Sequence, residues 1–433
     1  MKKTLLLIAT LLTSYVGMAQ ETYHPTAENL KAREQFQDEK FGIFLHWGLY
    51  SMMGTTEWIM TNRDINYKEY PKLAKTFYPS EFDADAWVKA IKAAGAKYIT
   101  ITTRHHDGFS LFKTATSTYN SVDGTPFKRD IIKEMADACQ RNGIKLHLYY
   151  SHLDWGREDY PVGRTGTGTG RPKEKANWAS YYKFMNTQLT ELLTNYGKVG
   201  AIWFDGWWDH DSDAKPFDWQ LEEQYAMIHK LQPQCLVANN HHHTPFPGED
   251  IQIFERDLPG ENKAGLSGQS IGRLPLESCQ TINEHWGYNI TDTLYKSPKE
   301  LIQMLVRAAG KNANLLLNIG PEPGGALPAL ALDRLQAIGE WLNKYGETIY
   351  GTRGGIVTPH EWGVSTQRGN KLYIHILNCM DSSLFIPTGN HKIKSATVFG
   401  TNKRVNFTKT GNGITLNFDT VPTDIDYIVE LTL

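Results

Sequence analysis

Cysteine is scarce in this 433-residue chain: Cys139, Cys235, Cys279 and Cys379 are its four, and no two are spaced C-x-x-C. That leaves neither a zinc ribbon nor a dithiol redox motif, and the four are expected to be buried free thiols. Charge of one sign is equally lacking, since 45 Lys and Arg stand against 47 Asp and Glu, a net charge of -2. Without a basic stripe, phosphate backbones and anionic membrane surfaces are excluded as partners. No apolar run of spanning length follows residue 20. No G-x-G-x-x-G follows the first strand run, and GRTGTGTGRP at 163–172 lacks the G-K-[ST] ending of a phosphate loop.

Aromatics are plentiful by contrast, 12% of the chain with 12 Trp and 21 Tyr. Flat rings stack on the apolar faces of sugars while their polar edges stay satisfied. The first twenty residues, MKKTLLLIATLLTSYVGMAQ, join Lys2 and Lys3 to a short apolar run and end in small residues. This predicts a secretory signal peptide over 1–19, cleaved after Ala19, and a secreted or periplasmic mature protein. With no Cys at the cleavage point, no lipid anchor is expected there.

From Phe41 to Tyr350 short apolar runs alternate with amphipathic stretches, the pattern of repeated βα units. The runs are FGIFLHW (41–47), KYITITT (97–103), IKLHLYY (144–150), VGAIWFD (199–205), QCLVANN (234–240), DIQIFE (250–255) and NLLLNIG (314–320), with a weaker one at 276–279. Helical patterns occupy 83–95, 129–143, 178–197 and 299–311, and most end at a glycine. Eight strands with reactive side chains at many different strand ends predict an α/β fold, a (β/α)8 TIM-like barrel over 20–350, ahead of an open doubly wound sheet. Beyond Tyr350 the texture changes to short alternating strands, beginning with GGIVTPHEW, which predicts a small C-terminal β-sandwich over 351–433. The glycine-rich stretch 156–174 is expected to be a flexible lid over the active site.

In chain order, the strand ends and the loops beside them offer Phe44, His46, Trp47, Glu57 and Trp58; then His105, His106 and Asp107; then Tyr149, Tyr150, Asp154 and Trp155; then Trp203, Asp205, Trp207, Trp208 and Asp209; then His241, His242 and His243; then Glu255; then Trp286. Cleaving a glycosidic bond with retention needs a carboxylate nucleophile and, roughly 5 Å away, a protonated carboxyl. Asp205 and Glu255 each end a strand and have the address for this. Taken singly, each could instead cap a helix or pair with Arg256. Apolar surroundings would raise Glu255 toward the value a general acid needs. His46, His105, His106 and Glu57 suit sugar hydroxyls, which want donors and acceptors together. A metal site built from His241–His243, His105, His106 and Asp205 lacks any H-x-H or H-E-x-x-H spacing, so no metal and no cofactor are expected.

The run FGIFLHWGLYS, EW at 57–58, TTRHHDGFSLF, LYYSHLDW, AIWFDGWW, FERDLPG, LESCQTINEHWGYN and NLLLNIGPEPGG resembles the α-L-fucosidases of glycoside hydrolase family 29 over nearly the whole barrel. The resemblance implies a retaining exo-acting enzyme on a (β/α)8 barrel followed by a β-sandwich. It implies Asp205 as nucleophile and Glu255 as acid/base, with Glu277 in LPLESCQT as the alternative. It further implies His46, Glu57, His105, His106 and Tyr149 as fucose-binding residues. Phe44, Trp58, Trp203 and Trp286 would pack on the sugar's apolar face and C5 methyl. Strand alternation sends only one of Tyr149 and Tyr150 inward, and the family motif favours Tyr149. Where many members carry an Arg after V-x-N-D, this chain has NNHHH, so His241 or a neighbour replaces that cation.

The expected partner is a fucosylated oligosaccharide or glycoconjugate. A fucose-binding protein without turnover, and a hydrolase of a related sugar such as L-galactose, are the rival readings.

Overall fold

The structure, a computed structural model, describes residues 23–401 and 403–433; the signal peptide read at 1–19 lies outside them. Eight parallel strands form one nearly closed sheet: β1 (Phe41–Leu45), β2 (Tyr98–Arg104), β3 (Lys145–Ser151), β4 (Ala201–Asp205), β5 (Leu236–Asn239), β6 (Gln252–Glu255), β7 (Leu276–Thr281) and β8 (Ala313–Ile319). Their order is β5-β4-β3-β2-β1-β8-β7-β6. Strands such as β1 (FGIFL), β4 (AIWFD) and β8 (ANLLLNI) are near-continuous apolar runs because both faces are covered, by the barrel interior and by the outer helices. At β1 the packing is close enough to demand glycine, since a Cβ on Gly42 would lie 2.3 Å from the Tyr98 ring.

The seam between β5 and β6 is held by little ladder, a parallel bridge of Ala238 to Ile251. Asp250 supplies what the ladder lacks. Its amide donates to Val237 O at 2.7 Å, and its carboxylate accepts the Val237 amide at 2.8 Å. Arg33, on helix Ala27–Glu39, pairs with the same carboxylate, so this helix rivets the seam from below. It also inserts Phe36 into the barrel's lower interior beside Tyr98, Leu236 and Leu316.

The outer helices start where their caps dictate. Asp83, Asp130 and Asn177 each accept the amide three residues on, and Ser297 with Glu300 closes a reciprocal box. Among the described residues no helix follows β5 or β6, so loops 240–251 and 256–275 take the place of two outer helices.

After helix Ala329–Tyr345 the chain builds two antiparallel sheets. One joins β9 (Arg353–Gly354), β10 (Gly363–Arg368), β11 (Lys371–Ile376), β13 (Ser395–Val398) and β16 (Tyr427–Thr432); the other joins β12 (Ser383–Ile386), β14 (Asn406–Thr410) and β15 (Gly413–Asn417). The two enclose a separate core of Leu372, Ile374, Ile386, Leu416, Val429 and Leu431. GGIVTPHEW is a strand only at its start, because Pro359 and the turn into Gly363 break the ladder. The sandwich is pinned to the barrel by Gln303, whose amide donates to Leu377 O and Ile425 O. Of the cysteines, Cys139, Cys235 and Cys279 are buried thiols, whereas Cys379 is half-buried.

Candidate active site

The C-terminal ends of the strands converge on a cavity of ≈ 200 Å³. That is below the roughly 300–1,000 Å³ of drug-sized ligand sites, so it suits one small molecule. Strand alternation selects what enters. On β3, Tyr149 turns inward, while Tyr150 turns out to hydrogen-bond Gln188 on helix Trp178–Asn195 at 2.7 Å. On β4, Trp203 and Asp205 face the cavity.

Asp205 is held on both oxygens. Oδ1 accepts the Gly206 amide at 2.8 Å and Trp208 Nε1 at 3.0 Å. Oδ2 accepts the Tyr149 hydroxyl at 3.0 Å and lies 3.6 Å from His106 Nε2. Glu255 faces the same cavity, and one Asn240 amide nitrogen spans the two acids, 2.8 Å from Glu255 Oε2 and 3.5 Å from Asp205 Oδ1. His242 Nε2 lies 2.9 Å from that same Glu255 oxygen.

The two carboxyls titrate in opposite senses. Burial, followed by the charge of Glu255, pushes Asp205 up to about 6. Burial acts on Glu255 too, but hydrogen bonds from His242 and Asn240, with the charges of His242 and Arg256, outweigh it and hold Glu255 below its ordinary value. The sequence expectation of a raised Glu255 is thereby corrected: the strand end is buried, yet three polar neighbours face it.

Around the acids, His46 lies with Nδ1 2.6 Å from Asn318 Oδ1 on β8, which leaves Nε2 for the cavity. Asn318 in turn donates to Trp286 O at 2.7 Å and so fixes that loop. Burial keeps His46, His105 and His106 neutral, His46 at about 4 and the other two well below their ordinary value. Glu57 accepts the Gly287 amide at 2.9 Å, tying the loop after β1 to the loop after β7. Phe44, Trp203 and Trp286 form an apolar wall, with ring centroids 5.1 and 6.2 Å apart around Phe44. Trp58 stacks on Trp208 at 5.5 Å opposite.

Phe44, His46, Glu57, Trp58, His105, Trp203, Asp205, Glu255 and Trp286 all line the cavity. His106 and Tyr149 lie behind Asp205 and reach the cavity through it. His241 does not belong to the lining. Its ring is buried with Nε2 3.0 Å from Glu249, and the neighbour that faces Glu255 is His242. The cause is backbone: His242 adopts φ 65, which turns its side chain opposite to His241. Trp47 and Asp107 also turn away, the first onto Phe82 and Trp87, the second to the Tyr70 hydroxyl.

Glu277 is fully buried below the wall, accepting Trp203 Nε1 at 2.9 Å and the Tyr98 hydroxyl at 2.7 Å. Burial raises it to about 7 against these two bonds. Sequence reasoning missed Asn240, Leu266 and Arg164, which line the cavity from loops that carry no periodicity. Arg164 comes from the glycine-rich stretch, which is pinned rather than free: Thr165 donates twice to Asp209, and Gly166 donates to Thr61.

The family model described as Alpha-L-fucosidase matches residues 10–347. Alpha-L-fucosidase isoenzyme 1 from Paenibacillus thiaminolyticus is 35% identical, with a TM-score of 0.83 over 94% of this chain and 99% of that one. An alpha-L-fucosidase from Bacteroides thetaiotaomicron, solved as a trapped covalent intermediate with 2-fluoro-fucosyl fluoride, is 27% identical, with a TM-score of 0.81 over 96% of this chain and 98% of that one. The plasma alpha-L-fucosidase of Rattus norvegicus is 31% identical over 406 residues, 85% of this chain and 82% of the relative.

Proposed function

This chain belongs to the alpha-L-fucosidase family of glycoside hydrolases, and from that premise we propose that it releases terminal α-L-fucose from glycans by a retaining, two-step displacement. The observation that carries the reading is the Asp205–Glu255 pair, two carboxylates in one small cavity with a single amide nitrogen within 3.5 Å of both. That proximity is compatible with the roughly 5–5.5 Å separation of the two carboxyls in retaining enzymes. The covalent intermediate trapped in the Bacteroides thetaiotaomicron neighbour supports the same class of mechanism.

In this reading Asp205, ionised above about 6, attacks the anomeric carbon while Glu255 protonates the leaving oxygen. The resulting ester neutralises Asp205. Glu255, relieved of its anionic neighbour, then takes a proton from the water that releases fucose. Tyr149, Trp208 and the Gly206 amide orient Asp205. His46, His105 and Glu57 serve the sugar hydroxyls as neutral imidazoles and a carboxylate. Glu255 is favoured over Glu277 because both Glu277 oxygens are committed to Trp203 and Tyr98 outside the cavity.

The apolar wall of Phe44, Trp203 and Trp286 favours fucose over L-galactose, whose C6 hydroxyl would be buried there without a partner. A binding protein without turnover would have lost one of the two acids, and both face the cavity. We assign residues 20–350 to the catalytic barrel and 351–433 to a bracing sandwich, and the leader pattern at 1–19 supports export. The test is release of fucose from α1,2-, α1,3-, α1,4- and α1,6-linked oligosaccharides and an aryl fucoside, with the first-formed anomer read by NMR. Retention on at least one substrate is expected; inversion, or release of L-galactose in preference to fucose, contradicts the reading.

A further inference from the structure

The two hydrogen bonds to Glu255 both fall on Oε2, from His242 Nε2 at 2.9 Å and Asn240 Nδ2 at 2.8 Å. Among the described residues Oε1 has no hydrogen-bonding partner. His241 Nε2 lies 3.0 and 3.1 Å from the two oxygens of Glu249, and its Nδ1 accepts the His243 amide at 2.9 Å. That anchored turn holds His242 at φ 65, in the left-handed region that glycine adopts more readily than other residues.

We propose that His242 and Glu255 form one acid/base unit sharing a single titratable proton, with His242 as the positioning residue that keeps Glu255 supplied above the pH at which Glu255 alone would have lost it. The inference rests on Glu255 being the acid/base. His242 Nε2–H donates to Oε2 in every working state. The titrating proton of the imidazole is therefore on Nδ1, which makes no hydrogen bond within the described residues and belongs to a side chain 21% exposed to solvent. With one proton in the unit, it sits either on His242 Nδ1, beside a Glu255 carboxylate, or on Glu255 Oε1, beside a neutral imidazole. The second form protonates the leaving oxygen, and the proton taken from water in the following step restores it.

The charged or titratable groups around the unit are Asp205 from β4, Arg256 next in the chain, the Cys279 thiol from β7, His243 beside His242, and Arg164, His46 and Glu57 across the cavity. Burial and the nearby carboxylates hold the Cys279 thiol protonated, and burial keeps His46 neutral, so neither titrates with the unit. Two groups sharing protons lose the last one at a pH no lower than either would alone. The sign follows: a neutral side chain at 242 moves the alkaline limb of kcat/KM to lower pH, and a permanent cation moves it lower still.

The experiment measures kcat/KM against pH, on a fucosylated oligosaccharide, for the wild type, His242→Gln, His242→Arg, His242→Gly and Glu255→Gln. Gly suits the left-handed backbone at 242 and leaves space for added imidazole. The alkaline limb is expected to fall by about one unit in His242→Gln, because Glu255 alone then carries the last proton, and further in His242→Arg, whose fixed charge disfavours protonated Glu255. Imidazole should restore it in His242→Gly. In parallel, the His242 imidazole titration followed by NMR should move to lower pH in Glu255→Gln, a readout that needs no turnover. A wild-type limb in both His242→Gln and His242→Arg, or an unmoved His242 titration, overturns the shared proton. If Glu255→Gln itself keeps the wild-type limb, the assignment of Glu255 fails instead.

Discussion

The Tyr149 hydroxyl donates to Asp205 Oδ2 across 3.0 Å, from the neighbouring strand and from behind the cavity. A hydrogen bond to a charged group contributes about 1.5–3 kcal/mol. Tyr149→Phe should therefore lower kcat/KM by roughly ten- to hundredfold. It should also move the acid limb to higher pH, because a carboxylate that loses a donor holds its proton more tightly. Unchanged kinetics across pH would show that the bond does no more than pack.

Asp205 sits at about 6, above its value in an unfolded chain. The ionised form attacks, so kcat/KM should fall as pH drops through about 6. The stability consequence has the opposite sense: the protonated carboxyl is favoured in the fold, and that contribution is fully present below about 4 and lost as pH rises through about 6. Asp205→Asn should thus raise Tm at pH 8 relative to wild type and lose most of that advantage at pH 3.5. Thermal scans at the two pH values check it, and an advantage equal at both would contradict a raised Asp205.

Glu277 holds Trp203 and Tyr98 with one oxygen each. Gln at 277 accepts one donor and turns its own amide toward the other, a cost of about 1–3 kcal/mol. Glu277→Gln is expected to lower Tm while keeping kcat within about tenfold, since it leaves transition-state contacts in place. A collapse of glycan hydrolysis here, with Glu255→Gln still active, would exchange the two roles.

Much of this was legible because strands and chemistry share a grammar. A strand that ends in WFD buries two aromatics and leaves one carboxylate at its tip, and alternation sends Tyr149 inward and Tyr150 out. The failures lie where alternation has no force. His242 takes the place expected of His241 because His242 itself adopts φ 65, and nothing in HHH announces that. Helix Ala27–Glu39 carries no apolar stripe, burying only Asn29 and Phe36, so its sequence shows no helical period. The lowered Glu255 is a matter of three neighbours, from two different segments, that no local pattern brings together.

Arg164 lines the cavity and lies over the Trp208 ring at 5.2 Å, paired with Asp211 at 3.1 Å. This places it on the side of the cavity formed by the pinned loop. Arg164→Ala should raise KM for fucosylated oligosaccharides by about tenfold and leave an aryl fucoside nearly unchanged. Equal losses on both substrates would put Arg164 at the fucose ring rather than at the leaving group.

The central claim is that Asp205 becomes covalently bonded to the sugar. Incubating the enzyme with 2-fluoro-fucosyl fluoride, then digesting and mapping the peptides by mass spectrometry, tests it most directly. A single fluorofucosyl adduct on Asp205, absent from Asp205→Gly, is the expected result; an adduct on Glu255 or Glu277, or full turnover by Asp205→Gly, would contradict it.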